Sequence, residues 1–188
     1  MNFSELISIR QSVRSYSDRP VEPGKLQMLI ESVRLAPSAS NSQPWKLIIV
    51  DDPALRDAVA KATFSSAIAF NRFAPQAPVI AVLTVEKSKA ITQIGGWMKK
   101  REFPLIDIGI AAEHFCLQAA DLGLGTCMLG WFDEQTIKTL LEIPRGIRVG
   151  LLITLGYPAE GYPLRPKARK ALEEMCAQNS YQRVPPHS

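Results

Sequence analysis

The sequence predicts an α+β fold built around one sheet. Segments with helical spacing of apolar residues are interleaved with short β-branched or continuously apolar runs. The two kinds do not alternate with the regularity of βαβ units, so a doubly wound parallel sheet is not expected. Size agrees: 188 residues, 46% of them hydrophobic, suit one domain spanning 1–188 with a real core, and no repeat or low-complexity linker divides it.

In chain order, Phe3, Leu6, Ile7 and Ile9 give residues 3–9 helical spacing. Leu26, Leu29, Ile30 and Val33 set a second helix over 23–35, with Pro23 suited to a first turn and Pro37 as its stop. Lys46 to Val50 is a short β-branched strand. Asp51 or Asp52 caps a helix from Pro53 to about Phe64. Pro78 to Val85 has the length and continuous apolarity of a buried strand. Residues 86–103 carry Gly95-Gly96 and the cluster Lys99-Lys100-Arg101-Glu102, and read as a lid-like excursion. A long helix over 104–122 is apolar nearly all round, so it must be covered on several sides, and a partner subunit is one source of that cover. Gly123 and Gly125 read as its stop. Thr126–Trp131 is a strand, 133–141 a capped helix and Val149–Leu155 a central strand. The Pro-rich segment 157–166 is extended, 168–177 is helical, and 157–188 as a whole forms a C-terminal arm.

Composition narrows the function. A net charge of +4 is compatible with an anionic ligand but too small to argue for nucleic acid. No apolar run approaches the roughly 18 residues of a spanning helix, and the start lacks the pattern of a secretory signal. Cys116, Cys127 and Cys176 are odd in number with no C-x-x-C spacing, which predicts reduced thiols in the cytoplasm. The two histidines, His114 in an apolar helix and His187 in a Pro-rich tail, offer little to a Ser-His-acid triad. No zinc spacing or P-loop is present. Cys127, in an apolar strand with no base beside it, reads as a buried structural thiol.

Two polar segments near the start remain. In Arg10-Gln11-Ser12-Val13-Arg14, residues 10, 12 and 14 face one way if the backbone is extended, placing a hydroxyl between two guanidinium groups. That is a clamp for phosphate or carboxylate; taken alone it also reads as a solvated basic turn. Arg165, Lys167 and Arg169 repeat the alternation, though taken alone they read more simply as a basic stretch near a chain end. Between Pro37 and Trp45, Ser38, Ser40, Asn41 and Gln43 mix donors and acceptors in the way a flat heterocycle needs, or simply supply turn chemistry. Gly123-Leu124-Gly125-Thr126-Cys127-Met128-Leu129-Gly130 follows a helix and enters a strand, the reverse of a dinucleotide fingerprint; Gly130 is read as allowing a ligand close to the backbone. A chain poor in acid-base groups and rich in anion and amide contacts would take its chemistry from a cofactor.

R-Q-S-V-R at 10–14, A-P-S-A-S-N-S-Q-P-W at 36–45, G-L-G-T-C-M-L-G-W at 123–131, L-G-Y-P at 155–158 and R-P-K-A-R at 165–169 occur in an order and spacing that resemble the nitroreductase family of FMN-dependent oxidoreductases. The resemblance implies a mainly antiparallel central sheet flanked by helices, in an intertwined homodimer with FMN at the interface. It implies that Arg10, Ser12 and Arg14 contact the flavin edge, ribityl chain or phosphate, Gln11 through its backbone, and that Lys167 and Arg169 bind the phosphate. Pro37, Ser38, Ser40 and Asn41 would come from the other subunit, and Ala39 and Gln43 would also bind the cofactor. Leu129 and Gly130 would lie against the ring, and Asn71 would reach its pyrimidine edge. Trp97 and Phe103 would shape the substrate entrance.

The expected activity is ping-pong transfer of hydride from NADH or NADPH, through FMN, to a small-molecule acceptor such as a nitroaromatic or quinone. Two alternatives stand beside it. One is a specialised member of the same family, a dehalogenase or flavin-degrading enzyme. The other is a non-catalytic anion- or nucleotide-binding protein using the basic clusters.

Overall fold

The computed structural model describes residues 1–87 and 102–181. Most of the 86–103 excursion, with Trp97 and Lys99 to Arg101, lies outside the described residues, as does His187. The sheet has four strands: β1 (Trp45–Val50), β2 (Val79–Val85), β3 (Gly125–Leu129) and β4 (Arg148–Gly156). Their spatial order is β1-β2-β4-β3 and every pairing is antiparallel.

Strand β2 explains its own apolar run, because it is buried on both faces. Ile80 and Val82 point into one half of the core, and Val79, Ala81 and Leu83 into the other. The first face is covered by α3 (Pro53–Lys61) and α5 (Glu134–Leu140), through Val59, Ala60 and Ile137. The second is covered by α2 (Pro23–Arg34) and α4 (Phe103–Asp121), through Leu29, Val33, Ala111, Ala112, Phe115 and Ala119. Phe115, fully buried, contributes about 1.5–3 kcal/mol relative to exposure. The first helix, α1 (Phe3–Ile9), opens with a capping box: Asn2 Oδ1 accepts the Glu5 amide at 2.9 Å, and Glu5 Oε2 accepts the Asn2 amide at 3.0 Å. Asp52, not Asp51, caps α3, accepting from Leu55 N at 2.9 Å.

Several boundaries differ from the sequence expectation. Helix α3 ends at Lys61 rather than near Phe64, where Thr63 turns its hydroxyl back onto the Ala60 carbonyl at 2.7 Å. Strand β3 starts one residue early and stops at Leu129, short of Trp131. The last helix, α6, covers only Leu172–Met175 instead of 168–177; it buries no residue, so nothing stabilises more than one turn. Of the two glycines read as a helix stop, only Gly123 is one. At φ +74° it lets Leu124 N reach Ala119 O at 2.8 Å and closes α4. Gly125 serves packing instead: a Cβ there would sit 2.6 Å from Val13 Cγ2.

That close approach belongs to a strap over residues 10–17, which covers the outer edge of β3. Ser12 bridges Thr126 in parallel, and Val13 N donates to Thr126 O at 2.8 Å. Farther on, Tyr16 bridges Pro158 antiparallel, joining the strap to the chain leaving β4. An otherwise open sheet edge is thereby protected.

Candidate functional site

The strap carries the first group of expected site residues. Val13, buried, anchors it, so its neighbours fall on the other side. Arg10 ends α1, its amide bonded to Leu6 O at 3.0 Å and its Nε 3.4 Å from Glu113 Oε1 on α4. An ion pair this exposed is worth roughly 0–1 kcal/mol, too little to retire the charge. Lys167 reaches over to donate to the Arg10 carbonyl. Its ammonium is held below the usual lysine range, first by desolvation, then by the neighbouring cations Arg10 and Arg169; Glu113 opposes this without cancelling it. Arg10, Lys167 and Arg169 therefore form a corner with more positive than negative charge.

The other cations behave differently. Arg165 does not align with Lys167 and Arg169 as the alternation predicted. Its guanidinium donates to Tyr162 Oη at 2.9 Å and lies 5.3 Å from that ring's centre, where the aromatic face attracts it. Arg14 is exposed, with its amide on Tyr162 Oη at 3.0 Å. Burial pushes the Cys127 thiol up, against the pull of Arg14 and of a hydrogen bond from Ser12. Cys127 is thus a protonated, buried thiol beneath the strap, as its apolar strand suggested. Gln11 spends its side chain on the C-terminal arm.

The loop after α2 is built from unusual backbone. Ser40, Asn41 and Gln43 all have φ near +50°, a region costing non-glycine residues on the order of 1 kcal/mol each. Local bonds hold the shape: Gln43 N to Ser38 Oγ at 2.8 Å and Gln43 Nε2 to Asn41 Oδ1 at 2.8 Å. Ala39 N donates to Asp107 Oδ1 at 3.0 Å. Asp107 is buried within α4, and its second oxygen has no hydrogen-bond partner in the described structure. A lone carboxylate on an apolar helical face was a legible signal that the sequence reading passed over. Pro37, Ser40, Asn41 and Gln43 are exposed. Asp107 and Glu113 are six residues apart on one helix, about 9 Å of rise. The loop and the cationic corner thus lean on different stretches of α4.

At the end of β3, Leu129 buries its side chain in the core, so only its main chain can face a ring. Gly130 has open space where a Cβ would stand. Asn71 is buried and donates through Nδ2 to Thr63 O at 3.1 Å and Trp131 O at 3.2 Å. It stitches two loops together, bringing Phe70 and Trp131 edge to face at 6.4 Å beside Gly130. Both rings are largely exposed, and neither was singled out from the sequence. Phe103, expected at the substrate entrance, begins α4 and is half-buried. His114 is half-buried against the Ser32 carbonyl at 3.3 Å. Among the described residues no cluster of His, Cys, Asp and Glu could hold a metal, and no helix is long and apolar enough to cross a membrane.

Comparison with known proteins identifies the family. The profile of the Nitroreductase family matches residues 7–157. A protein of Archaeoglobus fulgidus whose name pairs NADH dehydrogenase with NAD(P)H nitroreductase is 31% identical, over 83% of this chain and 85% of its own. The FMN reductase [NAD(P)H] of Bacillus subtilis is 28% identical over 84% of this chain and 66% of its own. A solved FMN-dependent nitroreductase of Clostridium difficile superposes with a TM-score of 0.74 at 25% identity, covering 94% of this chain and 98% of that one.

Proposed function

Because the chain belongs to the nitroreductase family, we propose that it is an FMN-dependent oxidoreductase passing hydride from NADH or NADPH to a nitroaromatic, quinone or similar acceptor by a ping-pong sequence. The observation that carries this reading is the corner of Arg10, Lys167 and Arg169: Lys167 reaches the Arg10 carbonyl, and its ammonium is depressed first by desolvation and then by the two neighbouring cations, a cost that a bound phosphate would offset. The residues present fit FMN. Beside that corner, Ser12 and Arg14 extend the strap toward Cys127 and β3, and Gly130 leaves room for a flat ring.

FMN, once bound, supplies the hydride chemistry. The chain's own residues bind, orient and shield. Arg10, Lys167 and Arg169 hold the phosphate; Ser12, Arg14 and the Gln11 main chain follow the ribityl chain and ring edge. The main chain at Leu129 and Gly130 lies along the ring. Asn71 takes its place at the pyrimidine edge while fixing the loops around it. Phe70 and Trp131 give an aromatic acceptor an apolar wall.

The remaining contacts come from a second copy. Phe3, Ile7, Met28, Leu35 and Ile106 expose apolar surface across α1, α2 and α4, and a homodimer would cover it. The loop of Pro37, Ser38, Ala39, Ser40, Asn41 and Gln43 leans on α4 through Asp107; the resemblance to the nitroreductase family implies that it serves the partner's flavin. Free Cys116, Cys127 and Cys176 suit the reducing cytoplasm.

The test is the visible spectrum of the purified protein before and after NADH or NADPH is added without oxygen. The expected result is a flavin spectrum that bleaches, faster with the preferred donor. A protein that stays colourless after FMN is supplied refutes the reading and favours a non-catalytic anion-binding protein.

A further inference from the structure

We propose that Gln11 is a positioning residue that sets the register of the C-terminal arm, and through it decides whether Lys167 and Arg169 face a bound phosphate. This rests on the FMN reading above. The arm leaves β4 at Gly156 and, from Pro163 to Lys170, forms neither helix, turn nor strand. Pro163 and Pro166 lack an N–H, so this stretch cannot join a regular ladder. The Gln11 carboxamide does the work of a strand neighbour. Its Nε2 donates to Pro163 O at 3.0 Å, and its Oε1 accepts from Arg165 N at 3.0 Å. One side chain thus satisfies an acceptor and a donor two residues apart.

The spacing continues. Lys167, two residues beyond Arg165, donates to the carbonyl of Arg10, the residue before Gln11. Positions 163, 165 and 167 all address the strap, and Arg169 contributes its charge to the same corner. A slip of one residue would present Leu164, Pro166 and Ala168 instead, carrying both cations away from Arg10. Between the strap and Tyr162, two further bonds hold the arm's base: Ala159 N to Ser15 O at 3.0 Å and Arg14 N to Tyr162 Oη at 3.0 Å. Beyond Tyr162, the Gln11 pair holds the main chain of the segment that bears the cations, while its side chains add the bonds of Arg165 to Tyr162 and of Lys167 to Arg10.

Register control has a signature that ordinary destabilisation lacks. It acts on the phosphate and leaves the ring alone, so it should alter the preference for FMN over riboflavin. The test uses Gln11→Met, which keeps the side chain's length and loses both bonds. Flavin-free wild type and variant are titrated with FMN and with riboflavin, following flavin fluorescence. Amide hydrogen exchange across 160–170 is measured without flavin.

The variant should bind FMN roughly tenfold more weakly, the scale of one lost charge-assisted contact, with riboflavin affinity within about twofold of wild type. The Arg165 amide should exchange faster than in wild type. Equal loss of both flavins, or unchanged FMN affinity with unchanged exchange, overturns the proposal. Should Gln11→Met fail to fold, Gln11→Glu keeps the acceptor and loses the donor, and faster exchange at Arg165 is again required. A wild type that binds neither flavin refutes the FMN reading, while the exchange experiment still judges the clamp.

Discussion

The strap at 10–17 and the loop at 37–43 are both short and polar, yet the chain treats them in opposite ways. The strap is finished within one chain: Val13 is buried over Gly125, Ser12 pairs with Thr126, Gln11 and Tyr162 dock the arm, and Lys167 closes on Arg10. The loop holds three residues at positive φ and leaves Pro37, Ser40, Asn41 and Gln43 exposed above a buried carboxylate. Strain kept in exposed, hydrogen-bond-rich backbone suggests a surface shaped for something outside its own chain. In the proposed reading the strap and the loop are the two halves of one site at a subunit interface, one self-contained and one offered outward.

The largest expected effect comes from separating the halves. Ile106 is exposed on α4 one residue before Asp107. Ile106→Arg puts a charge on the face that would bury it. Gel filtration should show a folded monomer, with FMN retention reduced by about two orders of magnitude if the outward half is as necessary as the inward one. A monomer that keeps its flavin would show that the strap and arm suffice alone.

Next in size are the cations of the self-contained half. Lys167→Met should weaken FMN by about tenfold, the value of a charge-assisted contact to phosphate, and spare riboflavin. Arg14→Ala should weaken FMN retention and slow turnover; normal rates with full occupancy would remove Arg14 from the site. Both are read by fluorescence titration and steady-state assay.

A smaller effect is expected at the root of the loop. Asp107→Ala removes the acceptor for the Ala39 amide, but it also removes a buried carboxylate oxygen that lacks a partner. These contributions oppose each other, so the melting temperature should shift by only a few degrees, about 1 kcal/mol. Hydrogen exchange at Ala39 should nonetheless quicken, and FMN affinity fall several-fold. A large loss of stability would instead make Asp107 a structural pillar.

The smallest effect lies outside both halves. The Glu22 carboxyl is held down at about 2, chiefly by the Tyr157 hydroxyl and also by Arg19. A depressed folded value means the contribution is fully present above the ordinary carboxylate range near 4.5 and is lost as pH falls toward 2. Urea midpoints of wild type and Glu22→Gln should therefore differ near pH 6, draw together below about pH 4.5 and meet only as pH falls through about 2. The converse holds for Cys116, pushed up to about 12 by burial: stability should decline as pH rises from 9 toward 12.

Much of the scaffold could be read from periodicity. The apolar run of β2 and the all-round apolar helix α4 mark elements covered on several sides, and the structure covers β2 on both faces. Contacts that do not repeat escape periodicity. Single bridges such as Ser12 to Thr126, and the packing of Val13 on Gly125, leave no repeating pattern, so from sequence Gly125 reads as a helix stop. The 168–177 segment has helical composition but no face to bury, and tertiary packing decides such cases. Arg10, Lys167 and Arg169 could be proposed from charge alternation. Arg165 was misplaced because its partner, Tyr162, lies only three residues away in a Pro-rich arm with no periodic cue. Phe70 and Trp131 meet where the bonds of Asn71, and that of Asp133 N to Ala62 O, join distant segments, a contact that composition does not show.

The claim that one flavin site needs two chains is tested most directly by sedimentation velocity of the FMN-loaded protein, followed at a wavelength that only flavin absorbs. The flavin signal should travel with a species of about twice the 20.8 kDa chain mass. Colour that travels with a single 20.8 kDa chain, or protein that sediments without colour, would contradict it.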